Sequence, residues 1–475
     1  MNPTPAQHLA KLAHTVARKG LPRDFRDEMA GRVLDLIGNS LAAVPTDAAV
    51  AVSAMAESWG GAPQATAIST ARRLPAHAAA LVNGTLAHSL DFDDTHLPSV
   101  LHPSAAVLPA ALAVAEAVGA SGAALLDAAA IGIEVTCRLG MAGYEPAAHN
   151  SIFFDRGLHA TAICGTVGAA VAAGMLYGLD EAELASVIGI ACSMGSGIIE
   201  ANRTGGTVKR VHCGWAAHAG VAAADLARHG LTGPPTALEG RFGFLTAFCG
   251  DRADADQLTA GLGTRWEARR VFVKPYPCNH FTHAGIDAAL RLRSAVVDPG
   301  SITALTLGLP APVVHAIGEP RAAKIRPSSG YHGAFSGPFT VAAALLGGGG
   351  LGVSHADFTD AAVRSADRLA LAAKVRVIPD AQCTSIFPQQ FPAVLTAELA
   401  DGSSHVERIA VNRGGPENPL TPAELLTKFR INAERVSTPA QAEYIAELTG
   451  ALPTATDLTT LTAALRDRKA EPMTT

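Results

Sequence analysis

The chain has 475 residues, 48% apolar and 17% charged, which excludes a disordered or coiled-coil protein and leaves room for roughly two or three domains with a large core. Aromatic residues are only 5%, so Ala, Leu, Val, Ile and Gly must pack that core, a mixture that favours closely approaching helices over aromatic-lined cavities. The formal charge is -5 and no basic block stands out, which excludes a nucleic-acid footprint.

The N-terminal MNPTPAQHLAKLAHTVARKG carries charges every few residues and no apolar run, so it reads as a first helix and not as a secretory signal. Up to about residue 250 the pattern stays helical, with helices expected over 4–18, 25–43, 48–58, 76–90, 103–118, 123–140, 158–177, 181–195 and 214–228. Asp180 before Glu181 and Glu183 marks a helix start, and Gly230 after His229 marks a helix end. Residues 157–179 are uncharged, but Ala and Gly dominate them and they carry His159, so a buried helix is expected there and no membrane span. After residue 265, RRVFVK, ALTLGL, KVRVI and VLTAEL read as strands. DGSSHVERIAV then supplies a turn and the return strand of a hairpin, while 334–346 and 355–370 look helical. From Thr421 helices resume in TPAELLTKF, TPAQAEYIAELTG and TDLTTLTAAL, and the tail RDRKAEPMTT is expected to fray. The seven cysteines are scattered and never spaced C-x-x-C, which fits a reducing cytoplasm and neither disulfides nor a zinc ribbon.

Ionisable residues concentrate at Asp91-Phe92-Asp93-Asp94-Thr95-His96, followed by His102-Pro103, directly after an apolar helix. The plain alternative is a solvated helix terminus with a cap for the next helix. His102 would stand at the positive end of the helix over 103–118, which suits a neutral general base. Lys209 and Arg210 follow Gly205-Gly206 and precede a helix, a place to hold a carboxylate or phosphate unless they are a surface pair. The glycines match neither the P-loop nor the dinucleotide fingerprint. His159 opens the longest uncharged helix, where a satisfied core histidine is the plain reading. His283, with His280 three residues before it, opens a helix just after the change of domain character, so either can face a cleft. DFDDTH offers oxygen and imidazole ligands, but no H-E-x-x-H, no ligand triad on one helix and no Cys pair accompanies it, so no metal is expected. DFDDT also has the look of an aspartate-rich terpene-cyclase motif, yet the aromatic walls such cavities need are lacking.

Taken together, NGTLAHSLDFDDTH with HPSAAVLPA, RGLHATAICGTVGAA, TVKRVHCGWAAHAG, EGRFGF, KPYPCNHFTHAGIDA and GGPENPLTPAELLTKF, in this order over nearly the whole chain, resemble the MmgE/PrpD family. The resemblance implies a mainly α fold: an all-helical domain built from both chain ends, 1–266 and 412–475, with an inserted α+β lid over 267–411. It also implies a homodimer formed through the helical domain, needing no cofactor, with the site between helical domain and lid. The site positions it implies are Asp91, Thr95, His102, His159, Lys209 and His283. Ala323 stands where a lid tyrosine is expected, with Tyr331 and His332 the nearby side chains able to replace it. Family chemistry is proton transfer at a carbon beside a carboxylate, which demands a placed base and a cation where charge develops. The activity implied is that of a lyase dehydrating or decarboxylating a methylcitrate- or aconitate-like di- or tricarboxylate. The alternative is an epimerase of a dicarboxylate such as iminodisuccinate, and a non-catalytic binder on the same fold is the third reading. In either catalytic case Lys209, helped by Arg210, fixes a substrate carboxylate, and His102 or His159 moves the proton. Asp91 orients its histidine, Thr95 hydrogen-bonds the substrate, and the remaining histidine protonates the leaving group or product carbon.

Overall fold

Alanine and glycine fix how closely the helices of this protein approach one another. The computed structural model describes residues 2–466 except 69, 71, 149, 296 and 297, with 202 and 203 described by backbone alone. The chain divides into two compact units: Met1–Val271 with the segment from Asn432 on, and Phe272–Ile431. Where the sequence reading puts boundaries after 266 and 411, these units part after Val271 and Ile431, the second point lying inside the helix Pro422–Ala433. Of the tail RDRKAEPMTT, everything beyond Arg466 lies outside the described residues.

The first unit is helical along its length: Pro5–Lys19, Arg23–Ala43, Asp47–Trp59, Ala76–His88, Ser104–Val118, Gly122–Ala142, Ala160–Leu176, Glu181–Cys192 and His212–Arg228. These begin and end within a few residues of the expected spans because their ends are chemically marked. Asp180 accepts the amides of Ala182 and Glu183 at 2.9 Å each, and Glu183 accepts the Asp180 amide in return at 2.8 Å, closing a capping box. The helix Ala160–Leu176 is buried throughout except for its last residue, and packs against Ser104–Val118, Gly122–Ala142, Glu181–Cys192 and His212–Arg228. No single helix among the described residues is long and apolar enough to cross a membrane.

Two crossings show why small residues are required. A methyl group on Gly132 would lie 2.6 Å from the Gly168 carbonyl oxygen, so Gly122–Ala142 and Ala160–Leu176 meet backbone to backbone. One on Gly84 would lie 2.8 Å from the Gly214 Cα, which brings Ala76–His88 equally close to His212–Arg228. The second crossing sets the end of one helix, His88, beside the start of the other, and the site is built there.

The second unit holds a four-stranded sheet in the order Ser404–Ile409, Ala393–Leu399, Ile302–Leu309, Val375–Pro379. The expected hairpin is present, with His405 opposite Ala397, and Ile302–Leu309 runs parallel to Val375–Pro379. Leu305, Leu307 and Leu309, alternate in sequence, are all buried, as a strand packed on one face requires. The helices His283–Ala295 and Gly337–Leu346 pack together in this unit. Two expectations need correction. RRVFVK yields only the two-residue strand Val271–Phe272. Residues 355–370 are not one helix: 3-10 turns over His355–Phe358 and Ala362–Arg364 precede the helix Ala366–Lys374, because Ser354 and Asp357 cap each other and close off a short turn.

Candidate active site

The site of the first unit is a loop that hydrogen bonds fold back on themselves. After Ala76–His88 the chain turns at Asp91, whose φ of 53° is left-handed, runs to His96 and returns at Leu101 through a tight bridge, His96 N–H to Leu101 O at 2.8 Å. Val100 completes that return, also at φ 53°, a conformation that β-branched residues avoid. The loop is tied down from three sides. Asn39 donates to the Phe92 carbonyl at 3.1 Å and is itself held by Asn432 at 2.9 Å. Asp94 accepts the Ser104 amide and hydroxyl, capping the helix Ser104–Val118 from outside, and faces Arg32 at 3.7 Å. Burial pushes Asp94 up to about 6, against the pull of Arg32 and Ser104. His96 is wholly buried and serves structure: burial lowers its pKa, so the neutral ring donates Nε2–H to Glu267 at 3.3 Å.

Thr161, on the helix Ala160–Leu176, accepts the His102 amide at 3.2 Å, which carries His102 to the neighbourhood of His159. The His102 Nδ1–H donates to the Asp94 carbonyl at 2.7 Å; a carbonyl only accepts, so the tautomer is fixed and Nε2 is the nitrogen left for chemistry. That Nε2 lies 3.9 Å from Asp91 Oδ1, and the Lys209 ammonium lies 3.8 Å from the same oxygen. Asp91, His102 and Lys209 are each about one-fifth exposed at the side chain, open enough to meet a small molecule.

Behind them stand histidines that the sequence reading did not single out. His88, buried, sets Nδ1 2.8 Å from Asp93 Oδ2, and its ring lies 5.3 Å from that of His102 and 5.6 Å from that of His159. Burial opposes the His88 imidazolium, while Cys213 and Asp93 favour it and win. Because burial also keeps the Cys213 thiol neutral, Asp93 is the partner that holds His88 protonated. His159, buried at the start of its helix, is pushed well below its ordinary value by burial and then by His88, Lys209, His212 and His102. His212 opens the helix His212–Arg228 and sets its Nδ1 3.0 Å from His159 Nδ1. Burial, His88 and Lys209 push His212 down to about 4. His212 was legible in one respect: it follows Lys209 by only three residues, at the junction where the 3-10 helix Val208–Val211 passes into the helix that His212 opens. His88 had a weaker signal, a lone histidine ending an apolar helix.

Thus Asp91, His102, His159 and Lys209 come together, and Thr95 lies buried in the same loop, its hydroxyl without a hydrogen-bond partner among the described residues. Arg210, half-buried, makes no ion pair or hydrogen bond with these groups among the described residues. His283, Tyr331 and His332 belong to the second unit. His283 is buried there, donates Nε2–H to the Cys278 carbonyl at 3.1 Å and packs against His280, 4.8 Å between ring centres. Tyr331 is exposed against Phe335, and His332 pairs with Ser328. Asp91, Asp93 and His102 offer ligand atoms all within 4.8 Å of one another. A cation there would sit against the Lys209 ammonium and the His88 imidazolium, so the set is better matched to proton transfer than to metal binding.

Residues 7–256 match the MmgE/PrpD N-terminal domain and residues 276–452 the MmgE/PrpD C-terminal domain. The chain is 29% identical over 408 residues to the cis-aconitate decarboxylase of Homo sapiens, spanning 83% of this chain and 80% of that one. It is 30% identical over 377 residues to the cis-aconitate decarboxylase of Mus musculus, spanning 77% and 73%. A cis-aconitate decarboxylase-like protein of Aspergillus oryzae is 29% identical over 421 residues, spanning 82% and 83%. With both of its domains matched in order, the chain belongs to the MmgE/PrpD family.

Proposed function

We propose that this protein is a cofactor-independent lyase that decarboxylates a small, aconitate-like di- or tricarboxylate. The observation that supports this most is the convergence of the Lys209 ammonium and the His102 Nε2 on one Asp91 oxygen, at 3.8 and 3.9 Å, beside an uncharged buried His159. A substrate carboxylate has a cation to pair with in Lys209, and the Thr95 hydroxyl, without a hydrogen-bond partner among the described residues, is a donor for a second oxygen. The electron pair left on carbon as carbon dioxide departs delocalises toward a carboxylate held against Lys209, where the charge is stabilised. His102, its tautomer fixed by the Asp94 carbonyl, and His159, uncharged at neutral pH, are the groups that move protons, with Asp91 orienting His102. The names of the relatives favour decarboxylation over the other family reactions.

The test is incubation in D2O with cis-aconitate, methylcitrate, citrate and iminodisuccinate, each followed by proton NMR. The expected outcome is carbon dioxide release from cis-aconitate with one deuterium in the product. New vinyl signals from methylcitrate or citrate would instead make the protein a dehydratase, and deuterium with inversion at the iminodisuccinate centre an epimerase. Absence of turnover in all four would make it a binder. On the substrate found, Lys209→Ala is expected chiefly to raise KM, and His102→Ala to lower kcat by about 10²–10⁴. Wild-type rates in both variants would overturn these roles.

A further inference from the structure

Two asparagines lie where a helical core has least use for them. Asn39, inside the helix Arg23–Ala43, and Asn432, near the end of the helix Pro422–Ala433, are both wholly inaccessible to solvent. Asparagine is a weak helix former, and burying an amide is costly unless its hydrogen bonds are made. The bonds run in one direction: Asn432 Nδ2 donates to Asn39 Oδ1 at 2.9 Å, and Asn39 Nδ2 donates to the Phe92 carbonyl at 3.1 Å. Asn432 lies 393 positions from Asn39, and Asn39 lies 53 from Phe92. Asn432 is also the residue at which the chain re-enters the helical unit.

The carbonyl they reach belongs to the peptide between Phe92 and Asp93, flanked by two carboxylates that organise the site. Asp91, one residue before Phe92, turns Oδ1 to Lys209 and to His102 Nε2 at 3.8 and 3.9 Å. Asp93, on the other side, holds His88 at 2.8 Å. Asp91 is left-handed at φ 53°, a conformation that a residue other than glycine keeps where its surroundings hold it. The ties at Asp94 and His102 grip the loop further on.

We propose that Asn39 and Asn432 are positioning residues for the reaction: acting in series on the Phe92 carbonyl, they fix the peptide that joins the Asp91 turn to Asp93. The inference takes Asp91 and His102 as working groups, and so rests on the lyase reading above. The order of the pair matters because an amide has two ends of nearly equal shape and opposite polarity. The Phe92 carbonyl only accepts, so Asn39 must face it with its NH2 end. That turns Oδ1 the other way, and without a donor there the Asn39 amide is free to turn over and set oxygen against oxygen. Asn432 is that donor. Asn39 holds the loop, and Asn432 holds Asn39. Leucine has close to the volume of asparagine and neither polar end, so at either place it fills the space without fixing a direction.

The experiment compares wild type, Asn39→Leu, Asn432→Leu and the double variant for carbon dioxide release from cis-aconitate, well below the lowest of the four melting temperatures. The His88 and His102 ring resonances are followed by NMR, with those of His283, in the other unit, as the control. Each single variant is expected to lose about 10–10²-fold in kcat with KM changed by less than about threefold, because Lys209 still meets the substrate while His102 is misaligned. Losses in series do not multiply, so the double variant should be no slower than Asn39→Leu, whereas two independent packing defects would multiply. In Asn432→Leu the His88 and His102 resonances should move and those of His283 should not, a change in the native state that lost stability alone does not produce. Wild-type kcat in both single variants, multiplied losses in the double variant, or His88 and His102 resonances that stay in place would overturn the positioning role and leave the lyase reading standing. If Asn39→Leu does not fold, Asn432→Leu decides by its kcat and its ring resonances. A wild-type protein that releases no carbon dioxide from cis-aconitate would overturn the lyase reading, and the ring resonances would then decide the positioning role by themselves.

Discussion

At the residue scale, His88 determines how the neighbouring imidazoles are charged. Held protonated by Asp93, it keeps a positive charge 5.6 Å, ring centre to ring centre, from His159, and with Lys209 it also depresses His212. His88→Gln removes that cation. Burial and the charges of Lys209, His212 and His102 still hold His159 down, but less strongly, so it protonates at a higher pH. The acid limb of the pH–rate profile should therefore move to higher pH, and the His159 and His212 ring resonances should titrate higher by NMR; unmoved titrations would show that His88 is neutral. The sequence made Asp91, His102, His159 and Lys209 legible because each stands at a helix end or in a cluster of charge. It did not make His88 and His212 legible as partners, because their contacts join residues far apart in the chain, His159 to His212 across 53 positions, and no local pattern encodes such a meeting.

At the scale of elements, the crossing of Ala76–His88 over His212–Arg228 determines whether the cluster exists. A methyl group on Gly214 would run into the Leu81 carbonyl and the Thr85 hydroxyl, backbone and a hydrogen-bonded side chain with no room to yield. Gly214→Ala should therefore cost about 1–3 kcal/mol of stability in urea unfolding and, by moving Lys209 and His212 away from Asp91 and His159, lower activity further than the stability loss explains. An alanine variant with unchanged unfolding would mean that the helices are not in contact there. Helices of this kind could be read from sequence because caps such as Asp180 and long Ala-rich runs are local signals. The segment 355–370 could not, because its composition suits a helix while a local Ser354–Asp357 cap diverts it into 3-10 turns.

At the scale of the whole molecule, a buried carboxylate paired with part-exposed arginines makes the stability of the helical unit depend on pH. Glu267, its side chain inaccessible, pairs with Arg265 at 2.8 Å and Arg270 at 3.1 Å and accepts from His96. Burial raises its pKa, but the His96 hydrogen bond and the two arginines outweigh that and pull it down to about 2. A carboxylate whose folded pKa lies below its unfolded one contributes stability that is complete above pH ~4.5 and is lost as pH falls toward ~2. Glu267→Gln should therefore be less stable than wild type at pH 7 by on the order of 1–3 kcal/mol, with the difference shrinking between those limits. Melting curves for the two proteins that stay parallel from pH 7 to pH 2 would remove Glu267 from that role. The sequence carried no sign of this brace: Glu267 stands 171 positions from His96, beside the point where the two units part.

Val100, held left-handed where the loop returns to His102, has one more consequence. A branched side chain in that conformation stores strain of about 1–3 kcal/mol, which the surrounding packing sustains. Val100→Gly should let the protein survive to a higher temperature while working more slowly, because a relaxed hinge no longer presses the imidazole after it into one pose. Heat resistance and speed would then be opposed at a single backbone angle, in the stretch of loop between Asp91 and His102.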